Sequence, residues 1–163
     1  MASELLLPIS EISSYHSKWS IKARVTAKSQ VRTFAKGSNS GKVFSVDLLD
    51  KEGGEIRASL FNEAVDKFDS TLQIGKCYLF SRGSVKIANR QFNPCNHRYE
   101  ITFDNKSIVV ESQDDGEIKS FQFNFVDLRA VQAKTLPAKV DLCGVLSSFK
   151  PVFSFKSKDG KDL

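Results

Sequence analysis

Apolar and polar residues alternate with a period of two over several short runs of this chain, and each run predicts a strand with one buried face. The clearest is 55–63, where Ile56, Ala58 and Leu60 fall on one side and Arg57, Ser59 and Phe61 on the other. Upstream, Trp19, Ile21, Ala23 and Val25 form one inward set, and Phe44, Val46 and Leu48 form another. Between that second run and the third, Gly53 and Gly54 supply the backbone freedom of a tight hairpin. After Phe61 the spacing becomes helical: Ala64, Val65 and Phe68 predict a short helix with Asn62 as its cap. Residues 77–80 and 85–87 read as one long strand bent at Gly83, and Tyr99, Ile101 and Phe103 mark a fifth. Two stretches break the pattern, 30–41 and 88–98, and both read as basic loops carrying a lone aromatic, Phe34 and Phe92.

Three strands, one short helix and two strands are the order of the five-stranded Greek-key barrel called the OB-fold, an all-β architecture whose second and third strands and two long loops line a ligand groove. The barrel is expected over residues 8–110, with Pro8–Ile12 leading into a turn over one end. A polar linker is expected over 111–119. Residues 120–163 resume an apolar pattern at Phe121, Phe123 and Phe125 and reach a strand-like run at 140–146, so they are expected to be the N-terminal fragment of a second, incomplete OB-fold domain.

Charge sharpens this picture. Residues 8–104 hold 15 Lys and Arg against 10 Asp and Glu, whereas 105–163 hold 9 against 8. Within the first part Lys18, Lys22, Arg24, Lys28, Arg32, Lys36 and Lys42 follow one another with no acid between Glu11 and Asp47. Such a run is the footprint expected for a polyanion. Phe34, Phe61 and Phe92 fall where a core phenylalanine is not expected, and rings interleaved with cations suit single-stranded nucleic acid, bases stacking while Lys and Arg neutralise phosphates. A duplex reader would need a helix or ribbon for a groove, and the helix expected here is short and acidic.

Other chemistry finds little support. The three cysteines contain no C-x-x-C pair, which argues against a disulfide framework and a structural zinc site, and Cys95 with His97 cannot close a tetrahedral one. No cofactor is expected. The acids Asp47, Asp50, Glu52 and Glu55 read as a polar turn, and no nucleophile and base can be paired by spacing, so the chain is expected to bind and not to catalyse. No apolar stretch approaches the roughly 18 residues of a membrane span.

Several stretches, taken together, carry a family resemblance: Tyr15-His-Ser-Lys-Trp19, Lys28-Ser-Gln-Val-Arg-Thr33, Gly54-Glu-Ile-Arg-Ala58, Phe61-Asn-Glu-Ala-Val-Asp-Lys-Phe68, Lys86-Ile-Ala-Asn-Arg-Gln-Phe92 and Tyr99-Glu-Ile-Thr-Phe103. In these the chain resembles the first high-affinity DNA-binding OB domain of the large subunit of eukaryotic replication protein A. The resemblance implies single-stranded DNA binding without strong sequence specificity, in the nucleus, in replication, repair and recombination. It implies base stacking on Phe61 and Phe92, with further contacts from Arg32, Phe34, Lys36, Arg57, Asn62, Glu63, Lys86 and Glu100. As partners it implies the middle and small subunits, through regions outside this chain, and acidic peptides of repair proteins. The loop aromatic is commonly Trp in the family and is Phe34 here, which keeps a ring and loses the indole donor. Two alternatives stay open: a telomere- or meiosis-specialised paralogue, and an OB module whose groove holds acidic protein peptides.

Overall fold

The computed structural model describes residues 5–36, 39–123, 125–135, 140–151 and 154, the side chains of Lys36 and Asn39 lying outside that description. It divides into two compact units, Met1–Gln122 and Phe123–Leu163. The first contains β1 (Leu5–Leu6), a 3-10 turn (Ile9–Glu11), β2 (Trp19–Lys28), β3 (Arg32–Lys36), β4 (Asn39–Leu49), β5 (Glu55–Phe61), α1 (Glu63–Phe68), β6 (Cys77–Ser81), β7 (Ser84–Ile87), β8 (Tyr99–Phe103) and β9 (Ile108–Ser112).

These strands form one sheet in the order β7-β8-β5-β4-β2-β6-β9, with β5 and β8 parallel and the other neighbours on this path antiparallel. Because β6 and β7 are two halves of one bent strand, the sheet curls round until its ends meet at that bend. This is the expected barrel. The left-handed backbone of the bend sits on Arg82 (φ 57°), whereas Gly83 answers a need for space: a Cβ there would lie 2.6 Å from Phe103 Cε1 and 2.7 Å from Ile101 Cγ2.

The alternation read from the sequence is the inside–outside alternation of the barrel. Trp19, Ile21, Ala23, Val25, Phe44, Val46, Leu48, Ile56, Ala58 and Leu60 are all buried, joined by Ala64, Val65 and Phe68 of α1. Each fully buried aliphatic or aromatic side chain contributes roughly 1.5–3 kcal/mol. A one-residue slip of β5 along β4 would turn Ile56, Leu60 and their neighbours to solvent, so the register is fixed by the core. That register sets the outer face: Val43 opposite Phe61, Ser45 opposite Ser59, Asp47 opposite Arg57.

Elsewhere the structure differs from the sequence expectations. The 30–41 stretch is a β-hairpin, not a flexible loop, β3 pairing with β4 from Arg32↔Val43 to Lys36↔Asn39; Gly37 and Ser38 lie outside the described residues. Its alternation of Arg32, Phe34 and Lys36 is strand periodicity. Asn62 does not cap α1 with its side chain. It holds a positive φ of 49°, which Asn tolerates better than most residues, and its Oδ1 accepts from Lys42 N at 3.1 Å.

The expected linker, 111–119, is held against the barrel. β9 pairs with β6, Arg24 grips Asp114 through both Nη atoms at 2.7 and 2.8 Å, Lys22 pairs with Asp115, and Ile118 is buried with Leu49 and Cys77. Its polar composition hid ionic partners spaced along β2. In the second unit the expected strand at 140–146 is replaced by a single bridge, Phe125↔Asp141, beside a four-residue helix α2 (Leu128–Val131). Among the described residues no strand ladder runs beside 140–146 to hold it extended.

Candidate nucleic-acid interface

The outer rungs of β4 and β5 are a floor with three chemistries in sequence. Val43 and Phe61 are apolar, Ser45 and Ser59 share a hydroxyl hydrogen bond at 3.0 Å, and Asp47 and Arg57 form an ion pair. The β3–β4 hairpin rises at one end and the loop 88–98 at the other. Together they enclose an open groove of about 500 Å³, lined by Ser29, Arg32, Thr33, Phe34, Val43, Ser45, Arg57, Ser59, Phe61, Lys86, Asn89, Phe92 and Glu100.

Arg32, Phe34, Arg57, Phe61, Lys86, Phe92 and Glu100, singled out from the sequence, thus meet in one groove. Asn62 and Glu63 stand outside its lining: Asn62 ties the start of α1 to Lys42, and Glu63 accepts a hydrogen bond from Asn105. Lys36 ends β3, and its side chain lies outside the described residues. Phe34 and Phe61 meet edge to face, centroids 6.2 Å apart at 82°. Gly41, opposite Phe34, makes room for this, since a Cβ would stand 2.8 Å from the Phe34 ring. Phe92, 65% exposed, presents its ring to solvent at the far wall.

The cations are less free than a linear charge count suggests. Lys22, Arg24, Lys28 and Lys42 are engaged by Asp115, Asp114, Asp69 and Asp66, and Arg24 is also buried with carbonyls of Gly75 and Ile118 as acceptors. Hydrogen bonds donated to Asp114 and Asp115 hold Arg24 and Lys22 above their ordinary pKa values, against the opposing pull of burial. The basic run is therefore in large part an internal latch. Arg32 has no ion pair among the described residues. Lys86 stands 3.3 Å from Glu100.

Arg57 donates from Nε and Nη2 to the two Asp47 oxygens at 2.7 and 2.9 Å, and from Nη1 to the Phe92 carbonyl at 2.7 Å. Burial lowers its pKa, but hydrogen bonding and attraction to Asp47 outweigh it, and the guanidinium is held above its ordinary value. Glu100, almost fully buried, accepts from Asn89 N and Asn93 Nδ2 at 3.2 and 3.0 Å, while Arg90 donates to the carbonyls of Cys95 and Asn96. The loop that carries Phe92 is thus preformed. Sequence reading missed Asp47, whose pairing needs the β4–β5 register, and the Ser29, Ser45 and Ser59 hydroxyls, of which only Ser59 carried a signal, its parity with Arg57 on the same strand.

Comparison with known proteins agrees with this geometry. The profile of the OB-fold nucleic acid binding domain matches residues 19–111. The chain belongs to that family. Among curated relatives, a replication protein A 70 kDa DNA-binding subunit of Oryza sativa subsp. japonica is 43% identical over 159 residues, 96% of this chain and 17% of the relative. The replication protein A 70 kDa DNA-binding subunit of Mus musculus is 43% identical over 145 residues, 89% of this chain and 23% of the relative. The chain therefore spans about a fifth of the length of these relatives. A solved replication protein A heterotrimer bound to ssDNA superposes with a TM-score of 0.70 at 37% identity, over 96% of this chain and 36% of that one. DNA binding domain A of Saccharomyces cerevisiae replication protein A gives 0.58 at 37% identity, over 68% and 96%.

Proposed function

We propose that this chain binds single-stranded DNA in the groove between the β3–β4 hairpin and the 88–98 loop, as a module of a replication protein A large subunit. The observation that carries this reading is the placing of aromatic rings at both walls of one groove, Phe34 and Phe61 at one and Phe92 at the other, with Arg32, Arg57 and Lys86 between them. Rings offer every base a π-face, cations follow the backbone, and the hydroxyl floor can meet base edges without demanding one base. Its task is binding rather than catalysis. In this reading the longer protein's partners are further subunits, which the heterotrimer of the solved relative supports, and its place of action is the nucleus. Asn62 and Glu63 act by shaping the Phe61 end of the groove.

The test is fluorescence anisotropy with a labelled oligothymidylate, its duplex and the matching RNA, each at two salt concentrations. Preference for the DNA single strand, weakening with salt, is the expected result. Equal binding to duplex, or displacement of the oligonucleotide by an acidic peptide at similar concentration, would refute it.

A further inference from the structure

Asp47 stands on the floor rung of β4 opposite Arg57, and the family reading assigns it nothing. Its carboxylate engages two arms of the Arg57 fork, so that the third arm is aimed at the Phe92 carbonyl. An unopposed guanidinium would point all five N–H donors toward solvent or phosphate. Here its plane is fixed by a bidentate partner, a geometry that Lys could not reproduce. The same carboxylate neighbours Cys95, three residues past Phe92, a buried residue whose thiol is pushed up by burial first and by Asp47 next. One acid therefore acts on the stacking loop twice, through Arg57 at Phe92 and by its charge at Cys95.

We propose that Asp47 is a positioning residue for the base-stacking ring: it sets the Arg57 fork so that Arg57 holds the Phe92 segment in its binding conformation before any DNA arrives. Preorganisation of this kind raises affinity by lowering the ordering cost of binding. It also supplies Arg57 with an internal counter-ion, so that Arg57 contributes little to the salt dependence. This inference rests on the single-stranded DNA reading for its affinity arm and is independent of it for its structural arm.

The experiment uses the full chain and Asp47→Asn, with Arg57→Lys as a second variant that keeps the charge and loses the fork. The structural arm is iodoacetamide labelling mapped by mass spectrometry, with buried Cys77 as internal reference because it sits in a separate cluster with Leu49 and Ile118. Both variants are expected to speed alkylation of Cys95 at least several-fold relative to Cys77. The affinity arm is a double-mutant cycle of Asp47→Asn with Phe92→Ala on oligothymidylate. The loss caused by Phe92→Ala should shrink at least threefold in the Asp47→Asn background, and the salt slope of Asp47→Asn should steepen by about 0.7, the share of one freed cation. Parallel acceleration of Cys95 and Cys77 in both variants, unchanged Cys95, or additive effects on affinity each overturn the proposal. Failure of the wild-type chain to bind oligothymidylate would instead overturn the DNA reading, with the labelling ratio still deciding the role of Asp47.

Discussion

Replacing Gly41 by alanine tests whether the Phe34–Phe61 wall is built as described. The added Cβ would lie 2.2 Å from Asn62 Oδ1, 2.8 Å from Phe34 Cζ and 3.1 Å from Phe34 Cε1, and contacts that short force a shift. Asn62 can move only by giving up its bond to Lys42 N, worth about 1 kcal/mol. Phe34 can move only by leaving its rotamer or its edge contact with Phe61, roughly another 0.5–1.5 kcal/mol. Against this, removing a glycine from the unfolded chain returns about 0.4–1 kcal/mol. The balance is a loss of about 1–2 kcal/mol in stability, read by urea denaturation followed by circular dichroism. A displaced Phe34 should also weaken oligothymidylate binding roughly 5- to 30-fold, equivalent to about 1–2 kcal/mol. Placing Gly41→Ala on a Phe34→Ala background should then cost little further affinity. Wild-type stability together with wild-type affinity in Gly41→Ala would show that the wall is not crowded and that the edge contact does not shape the groove.

Other outcomes follow from the same geometry. Phe61→Ala and Phe92→Ala should each lose about 1–3 kcal/mol of binding in anisotropy titrations while leaving the salt slope almost unchanged, because stacking releases no counter-ions. The wild-type slope of log affinity against log salt should be shallow, about −1.4 for two effective phosphate contacts at about −0.7 each, since Asp47 and Glu100 already balance Arg57 and Lys86; a slope near −4 would mean that the paired lysines of β2 open onto DNA. Arg32→Ala should reduce affinity with little effect on melting, whereas Arg24→Ala should lower the melting temperature and spare affinity, because Arg24 faces Asp114 and the Gly75 and Ile118 carbonyls. Asp114 is held below the usual carboxylate range by Arg24 and then by the Gly116 backbone, so its contribution is present above the unfolded pKa and is lost as pH falls through the folded one. Amide exchange at 113–118, corrected for its intrinsic pH dependence, should therefore speed up below about pH 4, where an unpaired Asp protonates.

Much of the barrel was legible because its signal is local. Period-two alternation names Trp19, Ile21, Phe44, Ile56 and Leu60 as core without any knowledge of partners, and the same parity turns Arg57 and Phe61 outward. Arg32, Phe34 and Phe92 stood out as a cation and rings in stretches that break the alternation, whereas Lys86 came from resemblance, and the geometry brings all four together. What stayed hidden depends on register and long-range pairing. Asp47 reads as one acid in a polar hairpin until β4 is laid against β5, which places it opposite Arg57. Lys22 and Arg24 read as free cations because their acids, Asp115 and Asp114, lie some ninety residues away. Ile108, Val109 and Val110 offered a strand signal that the surrounding polar residues masked, so no strand was expected there at the end of the barrel, and the last two residues of β9 fell in the expected linker.

The burial of Trp19 reaches beyond the fold. It is the chain's only tryptophan and is 2% exposed, and the aromatic residues of the groove are Phe34, Phe61 and Phe92. Intrinsic emission at tryptophan wavelengths therefore originates in the barrel interior and not beside a bound base. An oligonucleotide can saturate the groove while the fluorophore reports folding alone. Ligand-induced stabilisation, which grows as RT ln(1 + [L]/Kd), becomes an optical measurement of affinity on the unlabelled protein. In a relative with a groove tryptophan the two signals would overlap.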